Sequence, residues 1–185
     1  IRDRGRTAAN TAMKPSLTVY YDYLSGTSDK DGREGTVGSF NTLYDTGHKY
    51  YGLIDLFLGV GAGGAKGTMG LGLQDFALRG KLKPMPGWTL KADYHWFWTA
   101  ESVAANTVTS GLGAGTISSD TSNFLGNELD VTAVTKMNAN TKIMIGYSNY
   151  TTSQAMRYLK GQGTGAQGLG SNDINWGYVQ FDVKF

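Results

Sequence analysis

The sequence predicts an all-β chain: a transmembrane, antiparallel, up-and-down β-barrel of the outer-membrane type. Three observations carry this reading. Apolar and polar residues alternate over segments of about ten residues, as strands with one lipid face and one lumen face require. The connections between those segments alternate short and long. Aromatic residues gather near the segment ends, as at two membrane interfaces. Composition agrees: among 185 residues there are 27 glycines, 3 prolines and 12% aromatics. Mean hydropathy is slightly negative, at −0.30, although the apolar residues fall at alternating positions. A soluble β-sandwich shares that property, so loop placement has to separate the two.

The first strand is expected at 16–25, with Leu17, Val19, Tyr21 and Tyr23 on one face. The second is expected at 69–83, with Phe76, Leu78 and Leu82 on the apolar side. Proline and glycine in the stretch 83–87 preset a tight turn. The strand at 88–99 puts Trp88, Leu90, Ala92, Tyr94, Trp96 and Trp98 on one face. The strand at 128–137 groups Leu129, Val131 and Ala133. After a short turn at 138–140, the strand at 141–150 groups Ile143, Ile145 and Tyr147. The strand at 173–185 groups Val179, Phe181, Val183 and Phe185. Short turns at 13–15, 83–87 and 138–140 alternate with long connections at 26–68, 101–126 and 151–172. Outer-membrane barrels have short periplasmic turns and long outer loops, whereas a sandwich has no reason to keep its long loops at one end. No run is apolar enough for a membrane helix: the best, 50–65, is broken by Asp55 and filled with glycine. No signal peptide is visible at Ile1, and a secreted protein would already have lost one.

The terminal pattern Val179-Gln-Phe-Asp-Val-Lys-Phe185 resembles the assembly signal of bacterial outer-membrane proteins, with the barrel-assembly machinery as the implied partner. If Phe185 is periplasmic, counting back gives seven strands, the first before Met13. Bacterial single-chain barrels normally have an even number. The expectation is therefore that residues 1–185 form the C-terminal part of a single, larger, even-stranded barrel domain. A rival count makes 48–58 an eighth strand and breaks the up–down order.

Residues 21–57, YDYLSGTSDKDGREGTVGSFNTLYDTGHKYYGLIDLF, and 82–98, LKPMPGWTLKADYHWFW, resemble the alginate export porin family. The matching positions are Tyr21, Ser25 and Gly26, then Phe40, Leu43, Tyr44, His48, Lys49, Tyr50, Gly52 and Asp55, then Tyr94, His95, Phe97 and Trp98. The resemblance covers about half of the chain directly. It implies a large monomeric barrel in the bacterial outer membrane, surrounded by its lipid, that passes an anionic or sugar solute by diffusion. Alginate itself is not fixed as the solute. The glycine-rich stretch 59–72 departs from the family pattern.

In a pore, lumen-facing charge and inward-folding loops carry function. The polar strand faces offer Arg79, Lys81, Lys91, Lys136, Lys142 and Lys184, all near the short-turn ends. They form a candidate basic collar that would raise the local anion concentration. Arg2, Arg4 and Arg6 alternate in the first segment and either extend the collar or are solvated. Asp22, Glu128 and Asp130 lie nearer the long loops, with Asp75, Asp93 and His95 between, and Asp182 is low. The opposing reading is that these charges simply pair, Lys91 with Asp182 for example. In the loop 40–57, Tyr44, His48, Tyr50 and Asp55 are candidates for narrowing the pore. Equally, Leu53, Ile54, Leu56 and Phe57 anchor that loop to the wall.

Enzymatic and cofactor readings find little support. The chain has no cysteine and 2 histidines, which are far apart, so no metal or cofactor is expected. Gly59-x-Gly61-x-x-Gly64 matches a dinucleotide fingerprint in letters but lacks the following helix. Asp29-Lys-Asp31-Gly32 hints at calcium but lacks the later ligands. A net charge of +2 and the lack of a Lys/Arg run argue against nucleic acid. Two functional readings stay open: a passive pore for anions or carbohydrate, and a non-conducting structural barrel held in a larger membrane complex. A third, a soluble carbohydrate-binding sandwich, requires the faces bearing Leu17 to Tyr23 and Trp88 to Trp98 to be buried in protein.

Overall fold

The structure, a computed structural model, describes residues 13–42, 46–58, 68–108, 120–161 and 173–185. Among these residues, six strands form one antiparallel sheet in chain order: β1 (Ser16–Leu24), β2 (Leu73–Leu82), β3 (Trp88–Trp98), β4 (Phe124–Lys136), β5 (Thr141–Thr152) and β6 (Ile174–Val183). Each strand pairs only with its neighbours in sequence, so the sheet is an up-and-down meander. The expected seventh strand, before Met13, lies outside the described residues, as do Arg2, Arg4 and Arg6. The stretch 46–58 is a series of turns and not an eighth strand.

Two boundaries differ from expectation, each for a backbone reason. β2 starts at Leu73 because Met69, Gly70 and Gly72 take positive φ and turn the chain just before it. β4 starts at Phe124, four residues before the expected start at Glu128. At Gly126 the backbone has φ 134° and the register shifts by one residue opposite Phe97 and Trp98. Such a bulge lets pairing continue past the irregularity, and glycine tolerates the angle. A Cβ there would also crowd the Tyr150 ring at 2.9 Å.

Among the described residues, two short helices lie in the connections of this all-β fold. α1 (Asp29–Arg33) is capped by Ser28, whose Oγ accepts the Asp31 N–H. The Asp29-to-Gly32 stretch is therefore helical, and the Asp31 carboxylate accepts from the Ser28 hydroxyl at 2.7 Å. α2 (Gln154–Gly161) buries Ala155, Met156 and Leu159 on one face. Among the described residues, no helix is long and apolar enough to cross a membrane, which says nothing about crossing by strands.

The two faces of the sheet have opposite chemistry. One carries Leu17, Val19, Tyr21, Tyr23, Leu90, Leu129, Val131, Ile145, Tyr147, Val179, Phe181 and Val183, all exposed, with Leu17 at 71% and Phe181 at 63%. The burial that a soluble sandwich requires of the Leu17-to-Tyr23 face is therefore not found. The other face is polar along the turn-proximal half and buried along the loop-proximal half. There Leu24, Phe57, Leu71, Leu73, Phe97, Val103, Leu125 and Tyr150 join α2 in one apolar core. Among the described residues, the β2–β3 and β4–β5 turns, the start of β1 and the end of β6 lie at one end of the sheet, and the strand ends that the three long connections join lie at the other.

Candidate functional site

Residues on the polar face of the sheet, termed the inner face because 46–58 and α2 cover it, form rungs across the strands, since side chains two apart share a face and antiparallel register aligns them. Nearest the turns, Lys136 stands opposite Lys142, and Lys142 opposite Asp182. Further in, Lys81 stands opposite Lys91, and Lys91 opposite Thr132. The next rung runs Thr18, Arg79, Asp93, Asp130, Ser148, Trp176. Beyond it come Ala77, His95, Glu128 and Tyr150, and then Asp22 opposite Asp75. Charge is thus segregated along the wall. Lys–Lys rungs sit at the turn end and carboxylate rungs at the loop end. Like charges directly opposite destabilise a strand pair, so sheet stability alone does not favour this order.

Asp182 pairs with Lys142, at 3.6 Å, and not with Lys91, because register puts Lys142 beside it. Among the described residues Lys81, Lys91 and Lys136 make no ion pair. Lys184 lies just beyond β6, where its N–H donates to the Asn140 carbonyl at 2.9 Å. Arg79 approaches Asp93 at 3.9 Å and stacks over the Tyr20 ring at 4.4 Å. His95 is buried on the inner face, with Nδ1 2.9 Å from Asp75 Oδ1 and its ring stacked on Phe97.

The stretch 46–58 folds onto this face and touches β1, β3, β4, β5 and β6. Tyr51 donates its hydroxyl to Asp22 Oδ2 on β1 at 2.8 Å. Burial, reinforced by that carboxylate, pushes the Tyr51 phenol up, so it remains a donor. The Ile54 N–H donates to Glu128 Oε1 on β4 at 2.9 Å. His48 stacks on Trp176 of β6, with centroids 5.0 Å apart and planes at 13°. Phe57, 0% exposed, packs on Phe97 at 4.5 Å between centroids and on Tyr150. His48, Tyr51, Gly52 and Asp55 all have positive φ. Asp55 stabilises the turn by accepting the His48 N–H at 2.8 Å. Gly52 is needed for space as well, since a Cβ would lie 2.5 Å from the Glu128 carboxylate carbon.

Of the loop residues singled out from sequence, His48 is thus at the contact, and Asp55 holds His48 from within the loop. Tyr50 is exposed beneath Lys49 at 5.0 Å, and Tyr44 lies outside the described residues. Tyr51, Gly52, Glu128 and Trp176 are the contacts that sequence reasoning did not place there. The Gly52-x-x-Asp55 spacing was the available signal for Gly52. Nothing local pointed to Trp176, which meets His48 only through the fold. Leu56 and Ile54 also pack on the apolar core, so the loop is both anchored to the wall and set over the inner face.

Between the docked loop and the wall lies a cavity of about 520 Å³, lined by His48 and Lys49 from the loop and by Arg79, Lys91, Asp93, Asp130, Trp176 and others from the strands. No group of three or more His, Asp or Glu among the described residues is arranged to hold a metal ion. Searches of characterised proteins and of solved structures found no match. A family model described as alginate export matches residues 1–166. With nearly the whole sheet inside that match, the chain belongs to the alginate export family.

Proposed function

We propose that the sheet is part of the wall of an outer-membrane β-barrel, and that its inner face lines a passive path for anionic or carbohydrate solutes. The observation that carries this reading is the opposition of the two faces. A continuous exposed apolar surface of this extent suits lipid, since monomeric soluble proteins rarely expose one. The opposite face holds two facing lysine pairs, Lys81 with Lys91 and Lys136 with Lys142, of which only Lys142 has an ion-pair partner among the described residues, and this suits attraction of anions from a low-dielectric wall. Family membership supports an export channel. The collar of Arg79, Lys81, Lys91, Lys136, Lys142 and Lys184 acts unequally on this reading. Lys81 and Lys91 dominate, Lys142 is partly neutralised by Asp182, and Arg79 by Asp93.

The test is single-channel conductance of the full-length protein in a planar bilayer under a salt gradient. The expected result is steady conductance with anion preference that falls in Lys81→Ala/Lys91→Ala and falls less in Lys142→Ala. Correctly folded protein that never conducts would favour the non-conducting structural barrel.

A further inference from the structure

Of the four tryptophans, Trp88, Trp96 and Trp98 share the apolar face of the sheet, and Trp176 alone stands on the polar one. It belongs to a column of flat groups. Tyr178 lies directly on the Gly146 backbone, where an added Cβ would come within 2.1 Å of its ring. The Tyr178 hydroxyl donates to Met144 Sδ at 3.3 Å and fixes the ring in place. Trp176 stacks on Tyr178, with centroids 4.7 Å apart and planes at 30°. Its other face carries His48, 5.0 Å away and nearly parallel. The half-buried Trp176 is thus a platform backed on one side, and its other side already holds a flat ring.

Among the described residues, the hydrogen bonds of His48 all stay inside the loop. Its Nδ1 lies 2.8 Å from the Leu53 carbonyl oxygen and 2.9 Å from Asp55 Oδ2, and its N–H donates to Asp55. The loop is anchored without it, by Tyr51, Ile54 and Phe57. Only stacking joins the His48 ring to the wall, and a stacked aromatic pair shifts an equilibrium by roughly two- to tenfold. A solute ring that stacks as well and adds hydrogen bonds therefore displaces it. The groups for those bonds line the same cavity of about 520 Å³, within the range of small-molecule sites. They carry both signs: Lys49, Arg79 and Lys91 against Asp93 and Asp130, with Gln180 beside them. Such a rim suits hydroxyl groups, each of which donates and accepts, better than a solute of one charge. We propose that Trp176 is the platform of a subsite for an uncharged pyranose ring, and that His48 occupies the platform until a sugar replaces it. The C–H face of the sugar lies on the indole, and its hydroxyls reach the rim. This inference rests on the inner wall being a solute path, and it adds a neutral sugar to what a basic collar attracts.

The experiment uses full-length protein in a planar bilayer, with maltotriose as the pyranose probe and mannitol and gluconate as acyclic neutral and anionic controls. The expected result is saturable current block by maltotriose, with neither control blocking at the same concentration. Trp176→Leu keeps an apolar body without a flat face and should raise the half-blocking concentration about tenfold. His48→Ala removes the occupant and should lower it about threefold. A residue that merely supports the loop would give the opposite sign. The His48 variant changes no wall residue, so it covers the case in which Trp176→Leu does not fold. Equal block by gluconate would assign the block to the basic collar and overturn the subsite, as would block indifferent to both substitutions. A channel that conducts without block by maltotriose overturns it while leaving the proposed function intact. If the protein does not conduct, calorimetric titration with maltotriose, in a detergent without a sugar headgroup, tests the site by itself, and no binding there overturns it.

Discussion

The turn half and the loop half of the inner wall are made from the same six strands, yet they are held by different physics. At the turn end the lysines face one another, and backbone pairing, the tight turns and the Lys142–Asp182 ion pair fix the strands. At the loop end the wall is roofed by 46–58, 68–72 and α2, and its carboxylates receive hydrogen bonds from that roof. Only the second half contains an apolar core. The comparison teaches that the loops complete the fold here, while the turn end is free to carry unfavourable charge for another purpose.

The sharpest way to break this contrast is Phe57→Ala. Phe57 is fully buried between Phe97 and Tyr150, and truncating a buried Phe costs about 3–5 kcal/mol. The expected outcome is release of 46–58 from the wall with the strands intact, read as new protease cleavage in that stretch and a larger conductance. If unfolding of the whole sheet accompanied the cleavage, the two halves would not be separable. Gly52→Ala addresses the roof alone. It combines a backbone at φ 83° with a Cβ in contact with the Glu128 carboxylate, and should weaken docking by about 1–3 kcal/mol. Hydrogen exchange at Ile54 measures it, and unchanged protection would show that Glu128 does not hold the loop.

At the other end, Lys81→Gln should have the opposite sign. It removes a like-charge pair with Lys91, so the strands should be more stable by about 0.2–1 kcal/mol in urea unfolding in detergent. Anion preference should fall in the same variant. A gain in stability with a loss of selectivity is the signature of a residue kept for transport. Loss of both would return Lys81 to an ordinary structural role.

Period-two alternation made the turn half legible in sequence, because each strand there is regular and its polar face can be read residue by residue. Arg79, Lys81, Lys91, Lys136 and Lys142 share the face of the sheet opposite the exposed apolar one, as alternation predicts. The loop half was legible only in fragments. Ser28 with Asp31, and Ser153 before the apolar Ala155, Met156 and Leu159, are helix-start signals that strand periodicity overshadowed. Contacts such as His48 on Trp176 and Tyr51 on Asp22 join positions far apart in sequence, and no local pattern encodes them. The bulge at Gly126 shows the same limit, since it hid the first four residues of β4.

The least disruptive probe of the loop half is acid. In α1, Asp29 accepts from Arg33 Nε at 2.9 Å and from the Val108 N–H at 2.8 Å, tying the first long connection to the second. The Arg33 bond, and after it the Val108 N–H, hold the Asp29 carboxyl below its ordinary range. A carboxyl depressed in the folded state stabilises that state above the ordinary carboxylate pKa, and the contribution is lost as pH falls through the folded value. The tie should therefore persist at neutral pH and weaken below about pH 4. Hydrogen exchange at Val108 should accelerate in that window, beyond its intrinsic pH dependence, while amides of β4 and β5 near the turns do not. Asp29→Asn should flatten the response, since the amide neither titrates nor pairs with the Arg33 charge. An equal acid response in that variant would move the sensitivity to another group and leave the Arg33 Nη2 bond to the Asn106 carbonyl, at 2.7 Å, as the tie between the two loops.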